Sequence, residues 1–187
     1  VSAQCFGLMF DRPRALEAIA LAVGRLDCPA SASRFRLRLT LDGTGDFVAE
    51  LEPAPESAAT PQALALVPWR VNSQDPRLHH KTTRREVYVR ARESVAKIHP
   101  LVHAEPLLVN ERSEITETDI ANVVFRLAGQ LYTPPQRCGL LPGVMRDVLL
   151  QQGELHERVL PVEQLADVEA FYLINDLRGW RDATLLS

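Results

Sequence analysis

The stretch from 109 to 146, VNERSEITETDIANVVFRLAGQLYTPPQRCGLLPGVMR, constrains the fold more than any other part of the chain. Two short runs rich in β-branched and aromatic residues, 123–126 and 130–133, are separated by Ala-Gly, which predicts two strands joined by a turn. A proline-rich loop follows, and Gly143 is expected to open a helix that continues to about Gln152. The stretch therefore predicts a strand-rich core from which a loop leads into an open helix N-terminus.

The rest of the chain predicts further short strands and helices in an irregular order. Strict alternation of arginine and apolar residues at 34–52, interrupted by Asp-Gly and Thr-Gly, predicts a hairpin. A Pro/Ala-rich linker at 53–63 separates a small N-terminal domain, 1–63 with the linker included, from a C-terminal domain, 64–187. The other predicted elements are strands at 5–10, 63–71, 104–109, 157–160 and 170–174, and helices from Asp11, at 82–98 and at 161–166. Because this order lacks the regular repeat of a Rossmann fold, we expect an α+β fold with a mixed, barrel-like sheet in the C-terminal part.

Composition and charge narrow the class of protein. The 187 residues carry a net charge of −3, which gives no reason to expect a nucleic acid or an anionic membrane as partner. No run of 18 apolar residues and no leader-like N-terminus are found, so neither a membrane span nor a secretory signal is expected. Three widely separated cysteines predict neither a disulfide framework nor a structural zinc site. We therefore expect a cytoplasmic protein.

A metal site is not expected either. His99 and His103 have the i, i+4 spacing of a zinc-binding helix, but Pro100 lies between them and breaks the helix that this spacing needs.

The lysines are a second candidate feature. Of 21 basic residues only Lys81 and Lys97 are lysine, and lysine, unlike arginine, can condense with an aldehyde. Lys81 lies in HHKTTRR, just before the predicted helix at 82–98. A lysine in such a place is either a surface group or a nucleophile, and the pattern alone leaves both readings open.

The third candidate feature combines an acid with the start of a helix. Glu117 is a candidate carboxylate partner for a basic ring nitrogen, although the local pattern does not select it over Glu114 or Asp119. At Val144 and Met145 a helix begins, and its first N–H groups lack partners within the helix, which suits a phosphate. Along this helix Val144, Val148 and Leu149 are expected to share an apolar face. A ligand that is basic at one end and phosphorylated at the other would match both features.

Four separated motifs together resemble the class-IV aminotransferase family, the fold-type IV pyridoxal-phosphate enzymes. They are HKTTRR..Y from His80, NERSEITETDIANVVF from Asn110, LYTPP...GLLPGVMR from Leu131 and NDLRGW from Asn175. The resemblance covers roughly 64–187 and is greatest for the branch of 4-amino-4-deoxychorismate lyase. It implies a D-amino acid aminotransferase-like fold, pyridoxal 5′-phosphate as cofactor, a small-molecule amine as substrate and a homodimer.

The resemblance also implies roles for individual residues. Lys81 matches the lysine that holds the cofactor covalently, and Glu117 matches the glutamate that faces the pyridine nitrogen. Val144 and Met145 match the positions whose backbone N–H groups hold the phosphate. Arg25, in GRLDCPAS, resembles an arginine that also reaches the phosphate, although Ala22 stands where the family usually has histidine.

Two features depart from the family. Asp176 occupies a position near the phosphate where relatives have a small or hydroxylated residue, and its role stays open. The N-terminal part is shortened, with about 30 residues fewer between GRLDCPAS and RFRLRL than a typical small domain of this kind would hold. Part of the wall of the substrate site is therefore expected to be missing.

The implied activity has three readings. The first is a lyase that converts 4-amino-4-deoxychorismate to 4-aminobenzoate and pyruvate, a step of folate precursor synthesis. The second is a class-IV aminotransferase acting on branched-chain or D-amino acids. The third is a degenerate, non-catalytic member that keeps the fold.

Overall fold

The computed structural model describes residues 2–25, 34–55 and 60–186. The chain forms two compact units, 1–56 and 57–187. The segment in which we expect the shortening, 26–33, lies outside the described residues, as do Cys28 and Ser31 at the predicted helix end.

The first unit consists of two helices and a hairpin. Its elements are α1 (Ser2–Cys5), α2 (Arg12–Gly24), β1 (Phe35–Leu41) and β2 (Phe47–Pro53). Helix α2 begins as predicted, because the carboxylate of Asp11 accepts a hydrogen bond from the backbone N–H of Arg14 at 3.1 Å. The strand predicted at 5–10 is wrong. A turn at Gly7, with φ of +69°, follows α1 there.

The hairpin predicted from the alternating pattern is confirmed, although burial in β1 does not follow the alternation, since Leu37 is 41% exposed. Strands β1 and β2 are antiparallel over seven residue pairs, from Phe35 opposite Pro53 to Leu41 opposite Phe47. The side chain of Asp42 stabilises the turn by accepting the backbone N–H groups of Thr44 and Asp46, both at 2.9 Å.

The second unit is built on a seven-stranded mixed sheet. Its strands are β3 (Gln62–Leu66), β4 (Glu105–Leu107), β5 (Asn122–Leu127), β6 (Gln130–Thr133), β7 (His156–Glu157), β8 (Ala170–Asn175) and β9 (Gly179–Leu185). The strand order is β4-β3-β9-β8-β5-β6-β7, with parallel and antiparallel neighbours. The helices are α3 (Pro76–His79), α4 (Glu86–Ile98) and α5 (Val144–Gln151).

The segment 114–117 joins the two edges of this sheet. On one side the N–H of Leu108, which follows β4, donates to the carbonyl of Glu117 at 2.9 Å. On the other side the N–H of Ile115 donates to the carbonyl of Leu160, in the chain after β7, at 2.8 Å. The sheet is thereby closed into a barrel, and the predicted mixed, barrel-like α+β fold is confirmed.

Three apolar clusters follow from the alternation along the strands. The largest contains residues of alternating positions, such as Val123 and Phe125 of β5 and Leu173 of β8, and fills the space inside the curved sheet. A second cluster packs α4 onto the sheet through Ala91 and Val95. A third packs α5 onto the sheet and includes Val124, Leu149 and Ile174.

Two predictions about helices need correction. The helix predicted at 82–98 begins at Glu86, because the residues before it form an irregular connection from α3. In α5 the face predicted from Val144 and Val148 is exposed, with 65% and 43% of their surfaces accessible. Leu149 packs against the sheet as predicted, and its neighbour there is Met145.

Candidate active site

Glu117 is a buried carboxylate surrounded by hydrogen-bond donors. It is 4% exposed. The hydroxyl of Tyr88 donates to its Oε1 at 2.7 Å. The backbone N–H of Leu141 donates to Oε2 at 3.2 Å, and Asn122 Nδ2 lies 3.4 Å from the same oxygen. These three partners are all donors, so the surroundings suit a carboxylate that accepts.

The structure distinguishes the three acids that the local pattern could not separate. Glu114 accepts from Arg112 at 2.9 Å and from Asn110 at 2.7 Å, and Asp119 forms an ion pair with Arg92. Both acids therefore already have a cationic partner. Within the described residues, Glu117 forms no ion pair, so it is the acid that a cationic ligand would match.

Burial governs the charge of this carboxyl group. Loss of hydration raises the pKa of Glu117 to about 8, while the hydrogen bonds from Tyr88 and Leu141 and the charge of Arg85 oppose that rise. Burial also raises the pKa of the Tyr88 hydroxyl, so it remains a proton donor. A cation placed against Glu117 would favour its ionised form.

Asn122 connects this acid to the loop before α5. Its Nδ2 donates to the carbonyl of Leu141 at 2.8 Å, while the N–H of Leu141 reaches Glu117. A Cβ added at Gly143 would lie only 2.3 Å from Oδ1 of Asn122. The loop can approach β5 this closely only because residue 143 has no side chain.

The N-terminus of α5 presents free backbone donors. Gly143 is its N-cap, with φ of −69° and ψ of 143°, and no side chain caps the helix there. The N–H groups of Val144, Met145 and Arg146 therefore have no acceptor within the helix. The Arg146 side chain is turned to other partners, Glu157 at 2.5 Å and the carbonyl of Pro134 at 2.8 Å. Such a helix start fits an anionic group.

Lys81 lies in the irregular connection between α3 and α4. Its side chain is exposed and forms no hydrogen bond or ion pair with any residue that the structure describes. The connection is held at its base, where Nε2 of His79 lies 2.7 Å from the carbonyl of Ser73. Lys81 is thus free to engage a ligand, and its predicted role stays a prediction.

Two predicted residues remain, Arg25 and Asp176. Arg25 belongs to the first compact unit, where it is the C-cap of α2 and borders a groove of about 380 Å³ between α2 and β2. Asp176 is exposed in the turn between β8 and β9, next to Asn175, whose Oδ1 accepts the N–H groups of Leu177 and Arg178.

Two residues of the site were not predicted from the sequence. Tyr88 shares the buried face of α4 with Ala91 and Val95, at the spacing i, i+3, i+7 that helical periodicity makes visible. Asn122 carries no such signal, because its contacts depend on how the loop 139–143 packs on β5.

In the part of the chain that the structure describes, no group of three or more His, Cys, Asp or Glu side chains could hold a metal ion. Over the same residues, no helix combines the length and apolarity needed to span a bilayer.

This chain is similar to known proteins over most of its length. The family described as amino-transferase class IV matches residues 1–186. A Schizosaccharomyces pombe protein provisionally named an aminodeoxychorismate lyase is 31% identical over 150 residues, which are 78% of this chain and 64% of that relative. The chain thus spans less than two thirds of the length of this curated relative.

Solved structures extend the likeness. A provisionally named amino-acid aminotransferase from Mesorhizobium loti is 36% identical, with a TM-score of 0.86, over 99% of this chain and 86% of that one. An aminotransferase from Brucella abortus, solved with pyridoxal 5′-phosphate bound, shares the fold at 20% identity, with a TM-score of 0.76, over 98% of this chain and 71% of that one. Together with the family match over nearly every residue, these likenesses show that the chain belongs to the class-IV aminotransferase family.

Proposed function

We propose that this protein is an enzyme that uses pyridoxal 5′-phosphate to transform a small-molecule amine. The observation that carries the proposal is the joint placement of Glu117 and the start of α5. The loop 139–143 connects them, since Leu141 donates to the acid and Gly143 caps the helix. A buried acid and an open helix N-terminus, held by one loop, match the two ends of this cofactor.

In this proposal each residue has a distinct task. Glu117 accepts a hydrogen bond from the protonated ring nitrogen, and the amides of Val144 and Met145 bind the phosphate, assisted by Arg25. When bound, the cofactor supplies an electron sink that stabilises negative charge on the substrate carbon. Lys81 holds the cofactor covalently before the substrate arrives, and its released amine then moves a proton at that carbon.

The reaction we favour is the conversion of 4-amino-4-deoxychorismate to 4-aminobenzoate and pyruvate. It is supported by the name of the S. pombe relative and by the resemblance of the TPP–GLLPG–R and NDLRGW segments to the lyase branch. The second candidate is amino-group transfer between an amino acid and a 2-oxo acid. The M. loti relative, at 36% identity, favours it. We also propose a homodimer and a cytoplasmic location, as the family implies.

The cofactor role is tested first. Protein mixed with pyridoxal 5′-phosphate should turn yellow. Borohydride should then reduce the C=N bond to lysine and leave a stable amine that peptide mass spectrometry locates at Lys81. Lys81→Ala should abolish the label, while Lys97→Ala, the matched exposed lysine, should retain it. A colourless wild type, or a label elsewhere, would overturn the proposal.

The reaction is tested separately. Protein loaded with cofactor is incubated with 4-amino-4-deoxychorismate, and 4-aminobenzoate and pyruvate are measured. A parallel incubation contains a branched-chain or D-amino acid with 2-oxoglutarate, and glutamate is measured. Glutamate without 4-aminobenzoate would replace the lyase by the aminotransferase. A cofactor-binding protein inactive in both assays would be the non-catalytic member of the family.

A further inference from the structure

We infer that Tyr88 is a positioning residue whose hydroxyl orients Glu117 so that one acceptor position on Oε1 stays directed at the cofactor ring nitrogen. This inference rests on the proposed function, because it assigns a task to Tyr88 only if Glu117 faces that nitrogen.

The hydrogen bond between these side chains connects distant parts of the fold. Tyr88 belongs to α4 and is 7% exposed, whereas Glu117 belongs to the segment that closes the barrel. The 2.7 Å distance from Oη to Oε1 is that of a well-formed O–H···O hydrogen bond. Tyr88 itself is held by packing in the cluster under α4. A donor fixed in this way restricts rotation of the carboxylate.

The acceptor positions of Glu117 show where a ring nitrogen can bind. A carboxylate offers about four lone-pair positions, two on each oxygen. Leu141 and Asn122 both approach Oε2, and Tyr88 takes one position on Oε1. The position that remains is on Oε1. The ring nitrogen would therefore share this oxygen with the Tyr88 hydroxyl.

The same hydrogen bond favours the ionised acid. The Tyr88 hydroxyl keeps its proton and donates a hydrogen bond to the carboxylate, which lowers the pKa of Glu117 and so opposes the effect of burial. The other charges that act on Glu117 are Arg85, which favours ionisation, and Asp119, which opposes it. Tyr88 is thus expected to strengthen the pairing of Glu117 with a protonated ring nitrogen.

Two cofactors that differ at one atom provide the test. Cofactor-free wild type and Tyr88→Phe are titrated with pyridoxal 5′-phosphate and with its 1-deaza analogue, in which carbon replaces the ring nitrogen. Loss of a hydrogen bond to a charged group predicts about a tenfold weaker Kd for pyridoxal 5′-phosphate. For the deaza analogue, Tyr88→Phe should change the Kd less than twofold, since no ring nitrogen remains to be positioned.

The control is Tyr132→Phe on β6. The Tyr132 hydroxyl has no hydrogen bond among the described residues, so this substitution should change neither Kd. Equal weakening of both cofactors by Tyr88→Phe would show a structural role and overturn the inference. If Tyr88→Phe does not fold, 3-fluorotyrosine is placed at position 88 instead, because it is a stronger hydrogen-bond donor of similar size. The inference then requires that the Kd of pyridoxal 5′-phosphate changes while the Kd of the deaza analogue does not. A wild type that binds neither cofactor would instead contradict the proposed function.

Discussion

Asn122 Oδ1 occupies the space directly beside Gly143, where a Cβ would lie 2.3 Å from it. The Nδ2 of the same side chain donates to the carbonyl of Leu141 at 2.8 Å, which holds the loop before α5 against the strand that follows Glu117. Any side chain at residue 143 must push the loop away or displace the Asn122 amide.

Gly143→Ala is therefore expected to lower both stability and cofactor affinity. Overpacking at a close contact costs about 1–3 kcal/mol, and the displaced loop would move Leu141 and the α5 amides together. Thermal unfolding and titration with pyridoxal 5′-phosphate measure the two effects. Gly43→Ala is the control, because nothing lies within 4 Å of a Cβ at that position. Unchanged affinity in Gly143→Ala would show that the loop position does not matter for binding.

Glu117 should make the stability of the cofactor-free protein depend on pH. Its pKa is about 8 in the folded protein, against an ordinary value of 4.5. Between pH 4.5 and pH 8 the folded state therefore keeps a proton on Glu117 that the unfolded state has released. The contribution of Glu117 to stability is full below pH 4.5 and is lost as the pH rises through 8. Urea unfolding at intervals from pH 5 to 8.5 should show a decline that Glu117→Gln reduces.

An exposed acid serves as the control for this pH dependence. Glu163→Gln should leave the decline unchanged, because Glu163 is solvent-exposed. Equal slopes for the wild type and Glu117→Gln would contradict the raised pKa.

The buried pair of Glu105 and Arg181 should be essential for stability. Their side chains are 3% and 9% exposed, lie 2.8 Å apart, and Glu105 also accepts from Thr118 at 3.1 Å. Arg181→Met leaves a buried charge without its partner, which costs about 3–5 kcal/mol. Denaturant unfolding measures this loss.

The matched control is Arg126→Met, which breaks an ion pair with Glu169. The side chains of Arg126 and Glu169 are 42% and 41% exposed. An exposed pair contributes about 0–1 kcal/mol. Equal losses in the two variants would show that burial of the Glu105–Arg181 pair has no special effect.

The cysteines Cys5 and Cys138 should differ in reactivity. Burial and the neighbouring Glu114 raise the pKa of the Cys138 thiol to about 12, whereas Cys5 is exposed. At pH 8 a maleimide should label Cys5 at once and Cys138 only after unfolding, because the thiolate is the reactive form. Peptide mass spectrometry separates the two sites. Rapid labelling of Cys138 in the folded protein would contradict its burial.

Local chemistry explains which elements could be predicted. Asp11 caps α2, the Asp42 turn aligns the hairpin, and Gly143 precedes α5, because each depends on residues only a few positions apart. The failed strand at 5–10 shows the limit of this reasoning. An apolar run becomes a strand only where another strand is available to pair with it, and within the described residues 5–10 have none.

Most of the candidate site depended on long-range packing. Helical periodicity could not show that Met145, and not Val148, packs on the sheet, since both belong to apolar patterns in α5. Nor could the sequence separate Glu117 from Glu114 and Asp119, because their partners come from residues that are distant along the chain or depend on how loops pack.

The sequence by itself determined the alternation of short strands and helices, the open start of α5 and, through its motifs, the family. The tertiary structure alone decided that Glu117 is buried without an ion-pair partner among the described residues and that Tyr88 and Leu141 donate to it. These contacts join residues that are 29 and 24 positions apart. Packing of α4 and of the loop 139–143 beside Glu117 brings them together, since no local preference of the chain can specify partners at that distance.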